Sequence, residues 1–307
     1  MTIAIYTHQD CLDHDTGRGH PECTERLQVI IDVLKSCSFA DKLKMLNAPL
    51  GKDEQVLLAH TKHHLQYIKD SAPSVNLVYL DGDTILSPGT LNAAMRAVGA
   101  SCLAIDDVMK GKYSSVLCAV RPPGHHASKN QSMGFCIFNN IAIAAMYSLK
   151  NYALSRVAIV DFDVHHGNGT QDIMQNEKRV MYISTHQNPL FPGTGKREEK
   201  GVGNIINLPL PPGIEGKKYR EIFSSNVLPA LEKFQPQLLL VSAGFDGHMD
   251  DPLANMALVE DDYQWLGKQL YKIAKKHCNG HIASFLEGGY NLNVLGKSVE
   301  AYLNSFI

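Results

Sequence analysis

The chain has 307 residues, of which 44% are hydrophobic, and its 29 basic and 31 acidic side chains leave a net charge of −2. This balance excludes a polycationic nucleic-acid binder, and no apolar run reaches the ~18 residues of a membrane span. The seven cysteines are scattered without a Cys-x-x-Cys pair, which is typical of a reducing compartment rather than of a disulfide framework. We therefore expect a cytoplasmic protein with no membrane partner and no direct nucleic-acid binding.

Short apolar runs alternate with longer segments of helical periodicity along the chain. Seven strands are predicted, at Thr2–Tyr6, Ser115–Val120, Val157–Phe162, Val180–Thr185, Asn204–Leu208, Leu238–Ser242 and Ile282–Leu286. Six helices are predicted, at Glu22–Ser36, Leu91–Lys110, Asn140–Leu149, Lys217–Phe234, Asp261–Lys276 and Leu292–Leu303. This alternation indicates a three-layer α/β fold, in which a parallel sheet carries helices on both faces. No repeat or linker divides the chain, so residues 1–307 are expected to form a single domain.

Loops rich in glycine and in His, Asp or Tyr follow five of the predicted strands. They are Arg121–His126, Asp161–Gly167, Thr185–His186, Ser242–Asp246 and Glu287–Tyr290. In open α/β sheets, ligands bind outside the carboxyl ends of the strands, which parallel pairing brings to one edge. The sequence therefore predicts a functional site at that edge.

The segment Asp163-Val164-His165 is the strongest sign of a metal site. In an extended chain, residues two apart point the same way, so Asp163 and His165 can reach one ion, with Asp161 beneath them. Asp246, at the end of another strand, is the natural third ligand. Two carboxylates, one imidazole and an open position are typical of a catalytic metal site. An Asp-x-His pair alone is more often a turn or a helix cap, but the convergence of several such loops favours the metal.

Two adjacent histidines, His125 and His126, follow Pro-Pro-Gly at the end of a strand. Because the pKa of an imidazole lies closest to neutral pH, they are candidates for general acid and base. The alternative is a surface pair, which is what we expect of His63 and His64 on a helix. Tyr290 follows two glycines, where its hydroxyl can donate a hydrogen bond to a substrate oxygen.

Taken together, the motifs resemble the zinc-dependent histone deacetylase family, with a class II character similar to the bacterial histone-deacetylase-like amidohydrolases. The segments that carry the resemblance are Arg121–His126, Gly134–Asn140, Asp161–Thr170, Ser242–Asp246 and Glu287–Tyr290. The resemblance extends from His20 to the last predicted helix. It implies the arginase–deacetylase fold and a zinc-dependent enzyme that hydrolyses the ε-N-acyl (acetyl) group of acyl-lysine in proteins or peptides, releasing acetate and lysine.

The resemblance also implies roles for individual residues. One zinc ion would be held by Asp163, His165 and Asp246. The implied catalytic residues are His125, His126, Tyr290, Asp161 and Asn168. In the class II pattern an acidic side chain lies under the first histidine and a neutral one under the second, so His125 is expected to be the more readily cationic. Which histidine is the base and which the acid stays open.

A second cation and a substrate tunnel are implied in the same way. The monovalent-cation site, expected to hold structural K⁺, comprises Asp161, Asp163, His165, Ser184 and Thr185. The implied substrate-binding residues are Asp83 at the rim, Phe135 and Phe191 in the tunnel walls, Leu253 at the mouth, and Arg26, Gly288 and Gly289 in an acetate-release pocket. One departure is Thr24, which stands where the family often has a proline.

Three alternatives remain for the function. An acetylpolyamine amidohydrolase of the same fold carries Glu at the tunnel mouth, where this chain has Leu253, so acyl-lysine is favoured. A two-manganese ureohydrolase needs carboxylates at the positions of Gly167 and His248. A binding module without activity is disfavoured because every predicted catalytic position is filled. Cys136 lies in an apolar context and is expected to pack rather than to act as a nucleophile.

Overall fold

The structure is a computed structural model that describes residues 2–307. Within these residues the strands are β1 (Ile3–Thr7), β2 (Leu43–Asn47), β3 (Val78–Tyr79), β4 (Ile85–Leu86), β5 (Ser115–Cys118), β6 (Val157–Asp161), β7 (Val180–Gln187), β8 (Ile205–Leu210), β9 (Leu238–Ala243) and β10 (Ile282–Leu286). Eight of them form one parallel sheet in the order β2-β1-β5-β10-β9-β6-β7-β8. β3 and β4 form a separate antiparallel hairpin.

Helices flank this sheet. They are α1 (Gln9–Leu12), α2 (Thr24–Ser36), α3 (Asp53–Val56), α4 (Lys62–Ser71), α5 (Thr90–Met109), α6 (Asn140–Asn151), α7 (Asn168–Met174), α8 (Gly216–Ile222), α9 (Leu228–Phe234), α10 (Glu260–His277) and α11 (Leu292–Asn304). The long helices form two groups, since α11 packs against both α2 and α10, whereas α5 packs against α6. None of the helices in residues 2–307 combines the length and apolar character that crossing a bilayer demands.

The register of the sheet brings the ends of its central strands together. Asp161, the last residue of β6, lies opposite Ser184 of β7 on one side and Ser242 of β9 on the other. β9 pairs in turn with β10, where Leu286 lies opposite Ala243. β6, β9 and β10 are buried along their whole length, because helices cover both faces of the sheet. The loops that follow these strands therefore leave the sheet side by side at one edge.

The predicted α/β architecture is confirmed, and every predicted strand is present. The sequence analysis missed β2, an edge strand without a continuous apolar run, and it missed the β3–β4 hairpin, whose strands have two residues each. The predicted helix Lys217–Phe234 is not regular throughout. A π-helical turn at Phe223–Val227 separates α8 from α9, because Pro229 has no N–H to donate to the preceding turn.

The expected surface pair on α4 is wrong for one of its two histidines. His63 is exposed, but His64 is buried. The Nε2 atom of His64 donates a hydrogen bond to the carbonyl oxygen of Ile137 at 3.1 Å, and its ring lies edge-on to Phe138. Adjacent positions on a helix point about 100° apart, so one face of α4 can bury His64 while the next position stays in solvent.

Candidate active site

The loops after β5, β6, β7, β9 and β10 surround one cavity of about 640 Å³. Its floor includes His126, His165 and Tyr290. Phe135 and Phe191 form its walls, and the mouth includes Asp83 and Leu253. All seven of these side chains are predicted site residues, and they come from loops that are far apart in the sequence. The cavity lies at the carboxyl edge of the sheet, as expected for this fold class.

Asp163, His165 and Asp246 form a compact, buried group, whose ligand atoms all lie within 4.8 Å of one another. The Nδ1 atom of His165 lies 3.1 Å from a carboxylate oxygen of Asp163 and 3.1 Å from one of Asp246. The other oxygen of each carboxylate accepts a backbone hydrogen bond, from Gly288 to Asp163 at 2.8 Å and from Val164 to Asp246 at 2.9 Å. These backbone contacts hold both carboxylates facing the imidazole.

Electrostatics at this group favour a bound cation. Burial disfavours the His165 cation, but the hydrogen bonds that its ring donates to Asp163 and Asp246 outweigh this effect and raise the pKa of His165 to about 10. Burial and the neighbouring Asp163 raise the pKa of Asp246 to about 7. Two buried carboxylates this close need positive charge between them. Two oxygen donors, one nitrogen donor and a side open to the cavity fit a zinc ion, which uses three protein ligands in its catalytic sites.

The two adjacent histidines have different partners. The Nδ1 atom of His125 lies 3.0 Å from Asp161, whereas that of His126 lies 2.8 Å from the side-chain oxygen of Asn168. Burial opposes the His125 cation, but Asp161 and other nearby carboxylates raise its pKa well above the usual value. Burial, followed by the charges of His125 and His165, lowers the pKa of His126 well below the usual value. The two histidines therefore differ in the direction that the sequence predicts.

Tyr290 is held in place by residues that do not line the cavity. Its backbone N–H donates to Asp251 at 2.7 Å, and the guanidinium carbon of Arg26 lies 4.8 Å from the centre of its ring. Burial raises the pKa of its phenol well above the usual value, although Arg26 acts in the opposite direction. The hydroxyl thus stays protonated and can donate a hydrogen bond in the cavity.

Arg26, Gly288 and Gly289 lie behind the floor rather than in the cavity wall. Arg26 donates to the carbonyl oxygens of Gly289 and Glu287, each at 2.6 Å. A Cβ atom at position 288 would collide with the carboxylate of Asp246, so only glycine fits there. These residues shape the back of the site, while the acetate-release role implied for them stays a prediction.

Two buried carboxylates that support the site were missed by the sequence analysis. Glu287 accepts hydrogen bonds from the backbone of Gly124 and His125, at 2.8 and 3.1 Å, and burial raises its pKa to about 7. Glu22 is paired with Arg121, which donates to both of its carboxylate oxygens, and with Arg26 at 2.9 Å. The position of Glu287 directly after a buried apolar strand was a usable signal, since a buried carboxylate must find donors.

The predicted monovalent-cation residues are all buried and close together. Ser184 lies opposite Asp161 in the sheet, and the hydroxyl of Thr185 donates to the Asp161 carbonyl oxygen at 3.4 Å. Asp163 and His165 follow Asp161 along the same loop. Tyr182, which the sequence analysis missed, donates to the Asp161 carboxylate at 3.0 Å. A potassium ion at this place stays a prediction.

The tunnel walls are fixed by contacts with neighbouring loops. The backbone N–H of Phe135 donates to the hydroxyl of Thr84 at 3.2 Å, and Phe135 adopts a positive φ of 68°. The ring of Phe191 lies edge-on to His126, with 5.2 Å between the ring centres. Cys136 is fully buried and burial raises the pKa of its thiol well above the usual value, so it packs in the core as expected.

Comparison with known proteins agrees with this geometry. The sequence matches the histone deacetylase domain family over residues 20–306. It is 36% identical to histone deacetylase 14, chloroplastic, of Arabidopsis thaliana, covering 96% of this chain and 74% of that protein. It is 37% identical to the histone deacetylase-like amidohydrolase of Pseudomonas aeruginosa, covering 89% of this chain and 73% of that protein. The crystal structure of the HDA15 HD domain superposes with a TM-score of 0.91 at 31% identity, covering 99% of this chain and 90% of that one. With the sheet order, the strand-end site and these matches in agreement, the chain belongs to the histone deacetylase family and has the arginase–deacetylase fold.

Proposed function

We propose that this chain hydrolyses the ε-N-acyl group, first of all acetyl, of acyl-lysine in proteins or peptides, with one zinc ion held by Asp163, His165 and Asp246. The observation that carries the proposal is a cavity that is walled by Phe135 and Phe191 and whose floor includes His165, one member of this buried group of three ligands. An acyl-lysine side chain has a linear apolar stem that suits aromatic walls, and it ends in an amide that suits a polar floor.

The side chains of the floor divide the chemistry between them. Bound zinc supplies a Lewis acid for the acyl carbonyl and lowers the pKa of the attacking water. The Nδ1–H group of His126 donates a hydrogen bond to the side-chain oxygen of Asn168, so the Nε2 atom of His126 carries a lone pair and acts as the base. The proton it accepts then passes to the leaving lysine amine. His125 stays cationic through Asp161, and Tyr290 donates a hydrogen bond to the developing oxyanion.

The proposal includes a structural potassium ion beside the zinc site. Carbonyl and carboxylate oxygens suit a hard cation, and Asp161, Ser184 and Thr185 offer such oxygens in a buried position. The proposed partner is an acyl-lysine protein or peptide, bound at the mouth near Asp83.

A second candidate substrate is an acetylated polyamine. The carboxylate of Asp83 at the mouth favours a cationic substrate. Leu253 at the same mouth offers no charge to a second polyamine nitrogen, but it can pack on a lysine stem. We therefore propose acyl-lysine as the preferred class.

The experiment compares kcat/KM for an acetyl-lysine peptide and for acetylspermidine. Wild type is expected to prefer the peptide, and Leu253→Glu is expected to shift the ratio towards the polyamine by about one to two orders of magnitude, as for one desolvated charged hydrogen bond. Met249→Glu is the matched control, because Met249 is 58% exposed in the same loop and does not line the cavity. If wild type prefers acetylspermidine, the assignment of acyl-lysine as the substrate is overturned. If wild type hydrolyses neither substrate, the proposed activity is overturned.

A further inference from the structure

Asp251 is a buried carboxylate that does not line the catalytic cavity. It lies in the loop after β9, five residues beyond Asp246 and two before Leu253 at the mouth. Burial is the strongest influence on this side chain and raises its pKa. A neutral side chain would therefore be less costly to bury at this place. Because Asp251 has no part in the chemistry proposed above, its contacts must account for a carboxylate there.

The carboxylate of Asp251 joins two segments of the site by backbone hydrogen bonds. One oxygen accepts from the N–H of Tyr290 at 2.7 Å. The other oxygen accepts from the N–H of Leu253 at 3.0 Å. An asparagine has only one side-chain oxygen, and its NH₂ group would face the second N–H donor. A carboxylate at position 251 can therefore hold both segments at once, whereas the neutral amide of the same size cannot.

Tyr290 depends on this contact because the backbone before it is conformationally free. Two glycines precede it, and Gly289 adopts a positive φ of 120°. The ring of Tyr290 lies edge-on to Phe135, with 5.8 Å between the ring centres, and 4.8 Å from the guanidinium carbon of Arg26. Ring contacts of these two kinds are favourable over a range of positions. The hydrogen bond to Asp251 therefore fixes the point from which the Tyr290 side chain starts.

A second link keeps the same two loops together. The side-chain amide of Asn291 donates to the carbonyl oxygen of Asp250 at 2.7 Å. The side-chain oxygen of Asn291 accepts from the N–H of Asn293 at the start of α11. Because this link does not involve the Asp251 carboxylate, the loops stay joined when that carboxylate is changed. The effect of such a change is then confined to the position of residue 290.

We propose that Asp251 is a positioning residue, which holds the backbone of Tyr290 so that its hydroxyl lies where the oxyanion of the reaction develops. This inference rests on the proposed hydrolysis of acyl-lysine and adds to it a residue that acts through Tyr290 without touching the substrate. An oxyanion donor is effective only at about 2.7–3.1 Å from the oxyanion. A small shift of residue 290 therefore lowers kcat, whereas the tunnel walls that bind the substrate stay in place.

The experiment combines Asp251→Asn with Tyr290→Phe in a double-mutant cycle on an acetyl-lysine peptide. Alone, Asp251→Asn is expected to lower kcat by about tenfold and to change KM by less than about twofold, since a slight misplacement of a reacting group can cost up to ~10²-fold. In the Tyr290→Phe protein the same substitution is expected to change kcat by less than about twofold, because the hydroxyl that it positions is gone. Asp250→Asn is the matched control, because the Asp250 side chain is 59% exposed in the same loop.

A second variant keeps the proposal testable if Asp251→Asn does not fold, which its melting temperature and zinc content show. Asp251→Glu retains the charge and both oxygens, but it moves them by the length of one methylene group. It is expected to lower kcat with the Tyr290 hydroxyl present and to have no further effect in the Tyr290→Phe protein. An unchanged kcat in Asp251→Glu would overturn the proposal.

The outcomes separate this inference from the function on which it rests. If wild type hydrolyses the peptide, but Asp251→Asn leaves kcat unchanged or lowers it equally with and without the Tyr290 hydroxyl, Asp251 does not act through Tyr290 and the inference is wrong. If wild type does not hydrolyse the peptide, the proposed function is wrong, and the inference falls with it.

Discussion

The floor and the rim of the cavity are held by different kinds of contact. At the floor, the carboxylates of Asp163 and Asp246 are buried and accept backbone hydrogen bonds on the side away from His165. At the rim, Tyr79 is 62% exposed. Leaving a buried polar group without its partner costs about 1–3 kcal/mol, whereas an exposed ring loses little when it moves. Each floor atom is thus confined to one position, and the rim side chains are not.

This difference separates rate from substrate choice. Substitutions at the floor are expected to change kcat, because the groups there act on the reacting bond. Substitutions at the rim are expected to change the relative kcat/KM of different substrates, because the groups there contact only the parts of the substrate that do not react. Experiments that remove single floor groups, in order of decreasing effect, test whether the division holds.

The largest effect is expected from Asp246→Ala. Removing one of three buried ligands should abolish tight zinc binding and activity together. Elemental analysis of the purified variant measures the zinc, and an acetyl-lysine peptide assay measures the activity. Asp250→Ala, an exposed carboxylate four residues along the same loop, should keep both. Full activity without the Asp246 carboxylate, or two tightly bound metal ions in wild type, would contradict the single-metal site.

The next largest effect is expected from Tyr290→Phe, which removes one hydroxyl and almost no volume. Loss of one oxyanion donor typically costs about 3 kcal/mol, or on the order of 10²-fold in kcat. Zinc content and melting temperature should not change, because the backbone and ring contacts of Tyr290 remain. Tyr67→Phe serves as the control for loss of a tyrosine hydroxyl elsewhere. A normal kcat would mean that Tyr290 supports the floor without touching the substrate.

Asn168→Asp should move the pH profile rather than abolish activity. His126 must be neutral to act as the base, and burial with His125 and His165 keeps its pKa low. A carboxylate in place of the Asn168 amide favours the cation, so the acidic limb of kcat/KM should move to higher pH by about one to two units. Asp172→Asn, which changes a charge on the exposed side of α7, should leave the limb in place. An acidic limb that stays where it is in Asn168→Asp would argue against His126 as the base.

The sequence predicted the floor far better than its supports. Asp163 and His165 are two residues apart in one loop, so local geometry alone brought them together. Strand patterning predicted a parallel sheet whose carboxyl ends share one edge, which suggested Asp246 as the third ligand, but the pairing of β9 with β6 that sets it beside them was not predicted. Glu22 and Arg121 are 99 positions apart, and their buried ion pair depends on how two loops pack, which no local pattern encodes. The β3–β4 hairpin was missed because its strands have two residues each, which is too short for a periodic pattern.

The burial of His64 was not predicted either, because it depends on contacts of α4 with Ile137 and Phe138, which are distant in the sequence. The neighbouring His60 is expected to affect stability instead of rate. The backbone N–H of Asn139 donates to Nε2 of His60 at 2.8 Å, and the Asn139 side chain holds the carbonyl oxygen of Ala127, just after the tandem histidines, at 3.0 Å. His60 therefore supports the loop that carries the floor. Burial, with a smaller contribution from His64, lowers its pKa to about 3.

The unfolded chain binds a proton at His60 below pH ~6.5, but the folded protein does not. The contribution of neutral His60 to the free energy of unfolding is therefore complete above pH ~6.5 and is lost as the pH falls towards 3. His60→Gln keeps a hydrogen-bond acceptor for Asn139 but does not titrate. Urea unfolding at pH 7.5 and pH 5 should therefore show a smaller fall in the free energy of unfolding for the variant, by up to about 2 kcal/mol. His63→Gln, at an exposed position one residue before His64, should retain the wild-type fall. If His60→Gln and wild type lose the same stability on acidification, His60 is not neutral in the folded state, and the floor is held without it.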